Sequence, residues 1–153
     1  MEFATPEFKE LLNTFNEHGV KYLVVGAFAV MIYSEPRYTK DLDVWVETSE
    51  ENARRVFAAL KDFGAPLKGL TESDFTESGF YQMGRPPSRI DVLMSLDGLD
   101  FESSWASRTP EEFRGVPVFY IGKEDLINNK RLAGRYQDLA DIENMSLDKS
   151  GDL

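Results

Sequence analysis

Between residues 5 and 19 of the chain, "TPEFKELLNTFNEHG", the apolar positions Phe8, Leu11, Leu12 and Phe15 recur three and four apart, the spacing of one buried helix face. Thr5 is placed to cap this helix, Pro6 to open it and Gly19 to stop it. The pattern then changes. "KYLVVG" reads as a buried strand ending in Gly26, "AFAVMIYS" as a short helix, and "DLDVWVE" as a strand whose alternate positions face opposite ways. Thr48 and Glu51 have capping-box spacing ahead of "ENARRVFAALKDFG", where Val56, Phe57 and Leu60 form a stripe and Gly64 a stop. The stretch 65–79 shows no sustained period and reads as irregular. "FYQMG" and "RIDVLMS" predict a hairpin joined across "RPPS", and "PVFYIG" a final edge strand with Pro117 at its start, where a missing N–H does least harm. From Lys123 onward the pattern is helical, interrupted near Gly134, and the tail "SLDKSGDL" is expected to fray.

Helices and strands that alternate in this way predict an α/β domain, a small mixed sheet flanked by helices. The 153 residues suit a single domain, 1–153, with a core over about 20–122 and a helical part over about 123–145. No repeat or linker divides the chain. Composition then removes several chemistries. The chain has no cysteine and one histidine, which excludes disulfides, thiolate ligands, cysteine nucleophiles and a His-rich metal site. That histidine, His18, lies at the end of the first helix, where a cation interacts well with the dipole. A net charge of −10 repels a phosphate backbone unless basic residues cluster locally, so general nucleic-acid binding is disfavoured. No apolar run is long enough to span a bilayer, and "MEFATPEFKE" has neither the basic flank nor the apolar core of a signal, so no membrane partner and a cytoplasmic location are expected.

The acidity matters where it is concentrated. Residues two apart on a strand point to one face, so Asp41 and Asp43 project side by side. Adjacent carboxylates repel unless a cation lies between them, and Mg²⁺, which takes oxygen ligands and keeps room for water and phosphates, supplies that compensation. Asp91 stands among Ile90, Val92 and Leu93, where an unpaired carboxylate is costly, and it is a candidate third acid. The turn at Gly26 leads into the first amides of a helix, which favour an anion. Plainer readings remain open. Asp41 and Asp43 can sit at a strand end with Lys40 or Arg37 as salt partners, and Asp91 can pair with Arg89 or Arg85. Gly26 can be a simple turn glycine, and Asp138 and Asp141 can pair with neighbouring basic residues.

In order, Gly26-Ala27, Asp41-Leu42-Asp43 and Asp91 resemble the nucleotidyltransferase superfamily, whose members carry a Gly-Gly or Gly-Ser turn, a short helix, a paired-acid strand and a third acid on a later strand. "RYTKDLD" and "KEDLINNKRLAGRYQDLADIE" are similar to small nucleotidyltransferase-like proteins, including AbiEii-type toxins, and the resemblance covers roughly residues 20–143. It implies transfer of a nucleoside monophosphate from an NTP to an acceptor hydroxyl with loss of pyrophosphate. Asp41, Asp43 and Asp91 would be both catalytic residues and metal ligands, with two Mg²⁺ ions present during catalysis. Gly26, Ala27, Arg37, Thr39 and Lys130 would bind nucleotide, with Arg135 and Asp138 as further possibilities. Arg37 and Thr39 could instead brace the acidic strand. Ala27 departs from the pattern, because the phosphate-contacting serine hydroxyl of many members is missing and binding would rest on backbone N–H groups. RNA, protein and small molecules are all open as acceptors, a basic strip of Lys123, Lys130, Arg131 and Arg135 being one guide for an RNA end. Two rivals stand beside this reading: a weak or inactive domain acting through a cognate protein partner, as in a toxin–antitoxin pair, and a metal-dependent phosphohydrolase, which the glycine turn and lack of a histidine cluster disfavour.

Overall fold

In the computed structural model, which describes residues 6–36, 39 and 41–146, the stripe read in the first helix is its buried face. Phe8, Leu11, Leu12 and Phe15 of α1 (Pro6–Glu17) are fully buried, and burial of such a side chain contributes about 1.5–3 kcal/mol. Gly19 ends the helix with φ of 67°, a left-handed conformation that glycine adopts without a Cβ clash. Thr5, the cap read from the sequence, and the tail from 147 lie outside the described residues.

Tyr22–Val25 forms β1, buried along its whole length as a central strand requires, and the chain passes directly into α2 (Gly26–Tyr33). β2 (Asp41–Val46) returns antiparallel beside β1. α3 (Glu50–Phe63) follows, but its cap falls one residue later than the Thr48–Glu51 spacing predicts. Ser49 Oγ accepts from the Asn52 N–H at 3.1 Å, because Asn52 is itself fixed. Its side-chain amide donates to the carbonyls of Lys21 (3.1 Å) and Glu47 (2.7 Å) and accepts from the Lys21 N–H (2.8 Å), tying the start of α3 to both strands. Gly64, with φ of 97°, closes the helix as expected.

The hairpin is β3 (Phe80–Met83) and β4 (Arg89–Leu93), antiparallel to each other. Three elements were not foreseen. The stretch read as irregular contains a 3-10 helix over Glu72–Thr76 that buries Phe75 against Phe57 and Tyr81. α4 (Phe101–Ala106) and β5 (Thr109–Phe113) precede β6 (Val116–Tyr120). β5 escapes a pattern search because it is an edge strand whose middle residues, Pro110, Glu111 and Glu112, are exposed. Its presence also corrects the reading of "PVFYIG" as an edge. The sheet order is β3-β4-β2-β1-β6-β5, so β6 lies between β1 and β5. Pro117 is tolerated there because β6 meets β1 only at Val24↔Tyr120, well beyond it.

The sheet is mixed: β2 with β4 and β1 with β6 run parallel, the other pairs antiparallel. The last two helices, α5 (Lys123–Ala133) and α6 (Tyr136–Ser146), are separated at Gly134, which takes φ of 67°, and both pack against α2. Among the described residues no helix is long and apolar enough to cross a membrane.

Candidate active site

Parallel pairing of β2 with β4 is the step that gathers the acids. The register sets Asp41 opposite Arg89 and Asp43 opposite Asp91, and directly opposite residues on a sheet project from the same face. Asp41, Asp43, Arg89 and Asp91 therefore form a two-by-two array on one face. On its other side β2 pairs with β1, where Asp43 is opposite Val25, the last residue before α2. Gly26 then turns away with φ of 70°. A Cβ at this glycine would collide with the Asp43 carboxylate and come within 3.1 Å of the Asp43 Cβ. The missing side chain is what lets the acid lie against the turn.

Among the described residues, Arg89 is the cation that meets these acids. Arg89 Nη2 donates to Asp41 Oδ2 at 3.1 Å and lies 3.4 Å from Asp91 Oδ2. Asp91 is buried, and its Oδ1 has no hydrogen-bond partner. Burial first, and then the neighbouring Asp91 carboxyl, pushes Asp43 up from 3.8 to about 7. Arg89 offsets only part of this.

This donor set suits a hard divalent cation in chemistry: all ligands are carboxylate oxygens, one is buried without a partner, and two carboxyls are pressed together. Its geometry is not closed, since among the described residues no group of three or more acidic or histidine side chains stands ready around one point. Asp41 is held towards Arg89.

Around the array, Gly26 and Ala27 are half-buried at the start of α2, whose N-cap residue, Val25, makes no side-chain capping bond. Thr39 Oγ1 accepts from the Asp41 N–H at 3.3 Å, so this residue braces the start of β2. Arg37 lies outside the described residues, as does Lys40, one of the salt partners weighed for the acids.

Lys130 occupies a buried charge network on α5 and α6. Its Nζ is 3.0 Å from Asp141 Oδ2 and 3.4 Å from Asp138 Oδ1, with both aspartates buried. Arg135 Nε donates to Asp138 Oδ2 at 2.6 Å and holds that carboxyl below its ordinary range. Gln137 Nε2 donates to Asp141 Oδ1 at 2.8 Å. These aspartates thus pair with neighbouring basic residues, as the plainer reading had it. His18 likewise has a local partner, Asp62, at 3.0 Å.

The residue whose part in the site was missed is Arg89. It had been weighed only as a structural partner of Asp91. The signal was present, because Arg89 and Asp91 are two apart on a strand and so share a face, as Asp41 and Asp43 do.

A cleft of about 370 Å³ opens at the opposite end of β1 and β2, lined by Lys21, Glu47, Asn52, Arg55 and Trp105 among others. Asn52 is satisfied there by backbone, and Lys21 is matched to Glu47 at 3.4 Å. Unmatched charge is a better pointer to chemistry than volume, which favours the acidic array.

A mixed six-stranded sheet with flanking helices, carrying paired acids behind a glycine turn, is a nucleotidyltransferase-like architecture. The chain belongs to the family described as "Nucleotidyltransferase of unknown function (DUF6036)", whose model matches residues 4–153. Among solved structures it is similar to a candidate nucleotidyltransferase from Thermotoga maritima, with 13% identity, a TM-score of 0.60 and 92% of each chain covered. It is also similar to the lincosamide antibiotic adenylyltransferase LnuA, solved with lincomycin, at 15% identity and a TM-score of 0.56, over 95% of this chain and 98% of that one. A third, ANT(2")-Ia in complex with adenylyl-2"-tobramycin, shares 13% identity and a TM-score of 0.60, over 90% of this chain and 84% of the other. At these identities the likeness establishes the fold. No curated protein matches the sequence.

Proposed function

We propose that the protein is a Mg²⁺-dependent nucleotidyltransferase that moves a nucleoside monophosphate from an NTP to an acceptor hydroxyl. The acceptor oxygen bonds to the α-phosphorus, the bond from that phosphorus to the bridging oxygen breaks, and pyrophosphate leaves. The observation that carries this reading is the register that sets Asp43 beside Asp91 behind the Gly26 turn.

Asp41, Asp43 and Asp91 would hold the cations, which when bound neutralise phosphate charge and stabilise the attacking and leaving oxygens. Asp91, the buried member, whose Oδ1 has no hydrogen bond, would help to activate the acceptor by taking its proton. The N–H groups at Gly26 and Ala27 are offered to phosphate by a helix start without a side-chain cap. Thr39 keeps Asp41 at the head of its strand. Arg37 remains a proposed phosphate ligand. Lys130, enclosed by Asp138 and Asp141, would reach a triphosphate only by leaving both, so its stronger role is to fix α5 against α6.

Two structures of similar fold act on or hold antibiotics, lincomycin and an adenylylated tobramycin. They support a small-molecule hydroxyl as acceptor, beside RNA or protein. The second reading is a weak or inactive domain acting through a protein partner in a toxin–antitoxin pair of the AbiEii type. It draws on Ala27 and on the closing of Asp41 against Arg89.

The test is incubation of the purified protein with each α-labelled NTP and Mg²⁺, against RNA, protein and hydroxylated small molecules. Label on an acceptor with release of pyrophosphate, lost in Asp41→Asn/Asp43→Asn, is the expected result. Transfer at the wild-type rate by that double variant would refute the assignment of the acids.

A further inference from the structure

Arg89 is the one feature of the array that the proposed reaction does not absorb. Its guanidinium spans the two outer acids, with Nη2 at 3.1 Å from Asp41 Oδ2 and 3.4 Å from Asp91 Oδ2. The side chains of Asp41 and Arg89 are each about one-third exposed, so this contact can open without rearranging the core. Arg89 Nε is buried without a hydrogen-bond partner. The guanidinium therefore does not have the full set of bonds that would fix it there permanently.

The oxygens it occupies are those a cation would need. A divalent ion lying between Asp41 Oδ2 and Asp91 Oδ2 would face the guanidinium across the same two oxygens, and the two cations repel each other at that distance. Nor do Asp41 and Asp91 converge with Asp43 around a point while Arg89 bridges them. We propose that Arg89 is an exchangeable counter-ion: it holds the acids together in the metal-free protein and must release Asp41 before a divalent cation can bind all three. This rests on the metal-dependent reading above and gives Arg89 a positioning role in it. Cation binding is then coupled to an arginine movement, and apparent metal affinity is set partly by the strength of the Arg89–Asp41 contact.

Manganese(II) binding, measured by electron paramagnetic resonance and calorimetry without nucleotide, tests the exchange apart from activity. Wild type, Arg89→Gln and Arg89→Lys are compared. Removing the competitor raises the fraction of protein ready to bind, so the glutamine variant is expected to bind Mn²⁺ about tenfold more tightly. The lysine variant keeps the charge but loses the planar fork that spans two carboxylates, and it should fall between the other two. Metal-free melting temperature should drop in both variants, with saturating Mn²⁺ closing the gap to wild type.

Equal affinity in all three proteins would overturn the exchange while leaving the metal assignment standing. A lysine variant that binds as wild type does would reduce the effect to charge alone, and the exchange would again fall. Mn²⁺ binding by none of them would remove the metal reading and this inference together. If the glutamine variant does not fold, the comparison of wild type with the lysine variant still decides the matter.

Discussion

Two clusters in which aspartates meet basic side chains differ in this molecule. On α6 two aspartates meet the ammonium of Lys130 from α5 and the guanidinium of Arg135 from the connection between the two helices, and Gln137 of α6 bonds the second carboxylate. At the head of the sheet, among the described residues, three aspartates meet one guanidinium, Asp91 Oδ1 is buried without a hydrogen bond, and Asp43 is pushed up to about 7. The first arrangement sets two carboxylates against two cations. Among the described residues the second sets three against one, and an imbalance of that kind is a pointer to a functional site.

The sharpest way to break this contrast is to neutralise the acids. Asp43→Asn should lower nucleotide transfer by more than the roughly 10- to 100-fold typical of losing an outer-shell group at a metal, with the circular dichroism spectrum unchanged. Next in size is the balanced network. Lys130→Met leaves two buried aspartates short of a cation and should cost about 3–5 kcal/mol of stability in denaturant titration. A cost below about 1 kcal/mol would mark the lysine as an ordinary surface ligand.

Gly26→Ala combines a left-handed backbone with a clash on the Asp43 carboxylate. It should lose about 1–2 kcal/mol from the backbone alone and most of the transfer activity, because Asp43 is displaced. The smallest expected effect is one of pH. Asp43 has a folded pKa of about 7 against 3.8 in the unfolded chain, so between those values the folded protein binds more protons. The Asp43 contribution to stability is therefore fully present at low pH and is lost as pH rises towards 7. Melting curves of the metal-free protein should show this slope, and Asp43→Asn should remove it.

Much of the sheet's centre was legible because its strands and helices carry unbroken apolar patterns. The α1 stripe, the run of β1 and the alternation of β2 needed no tertiary information. Gly19, Gly64 and Gly134 marked helix ends through the left-handed conformation they supply. Reading failed where the pattern is set by neighbours. The middle of β5 is polar and exposed, so its identity comes from pairing with β6. The cap of α3 moved to Ser49 because Asn52 is anchored by strands distant in sequence. Within the site, D-x-D spacing was enough to put Asp41 and Asp43 on one face. That Asp91 lands opposite Asp43 is a fact of parallel register, which no local pattern encodes. Arg89 follows from the same register, and so its contact with Asp41 was invisible along the chain.

The central claim is that the acids at the head of the sheet receive nucleotide through a divalent cation. Calorimetric titration with an NTP analogue that cannot be cleaved between the α- and β-phosphates, with and without Mg²⁺, addresses it most directly. Wild type should bind the analogue only when Mg²⁺ is present, and Asp41→Asn/Asp43→Asn should not bind it in either condition. Equal binding by wild type and the double variant, or binding indifferent to Mg²⁺, would contradict the account.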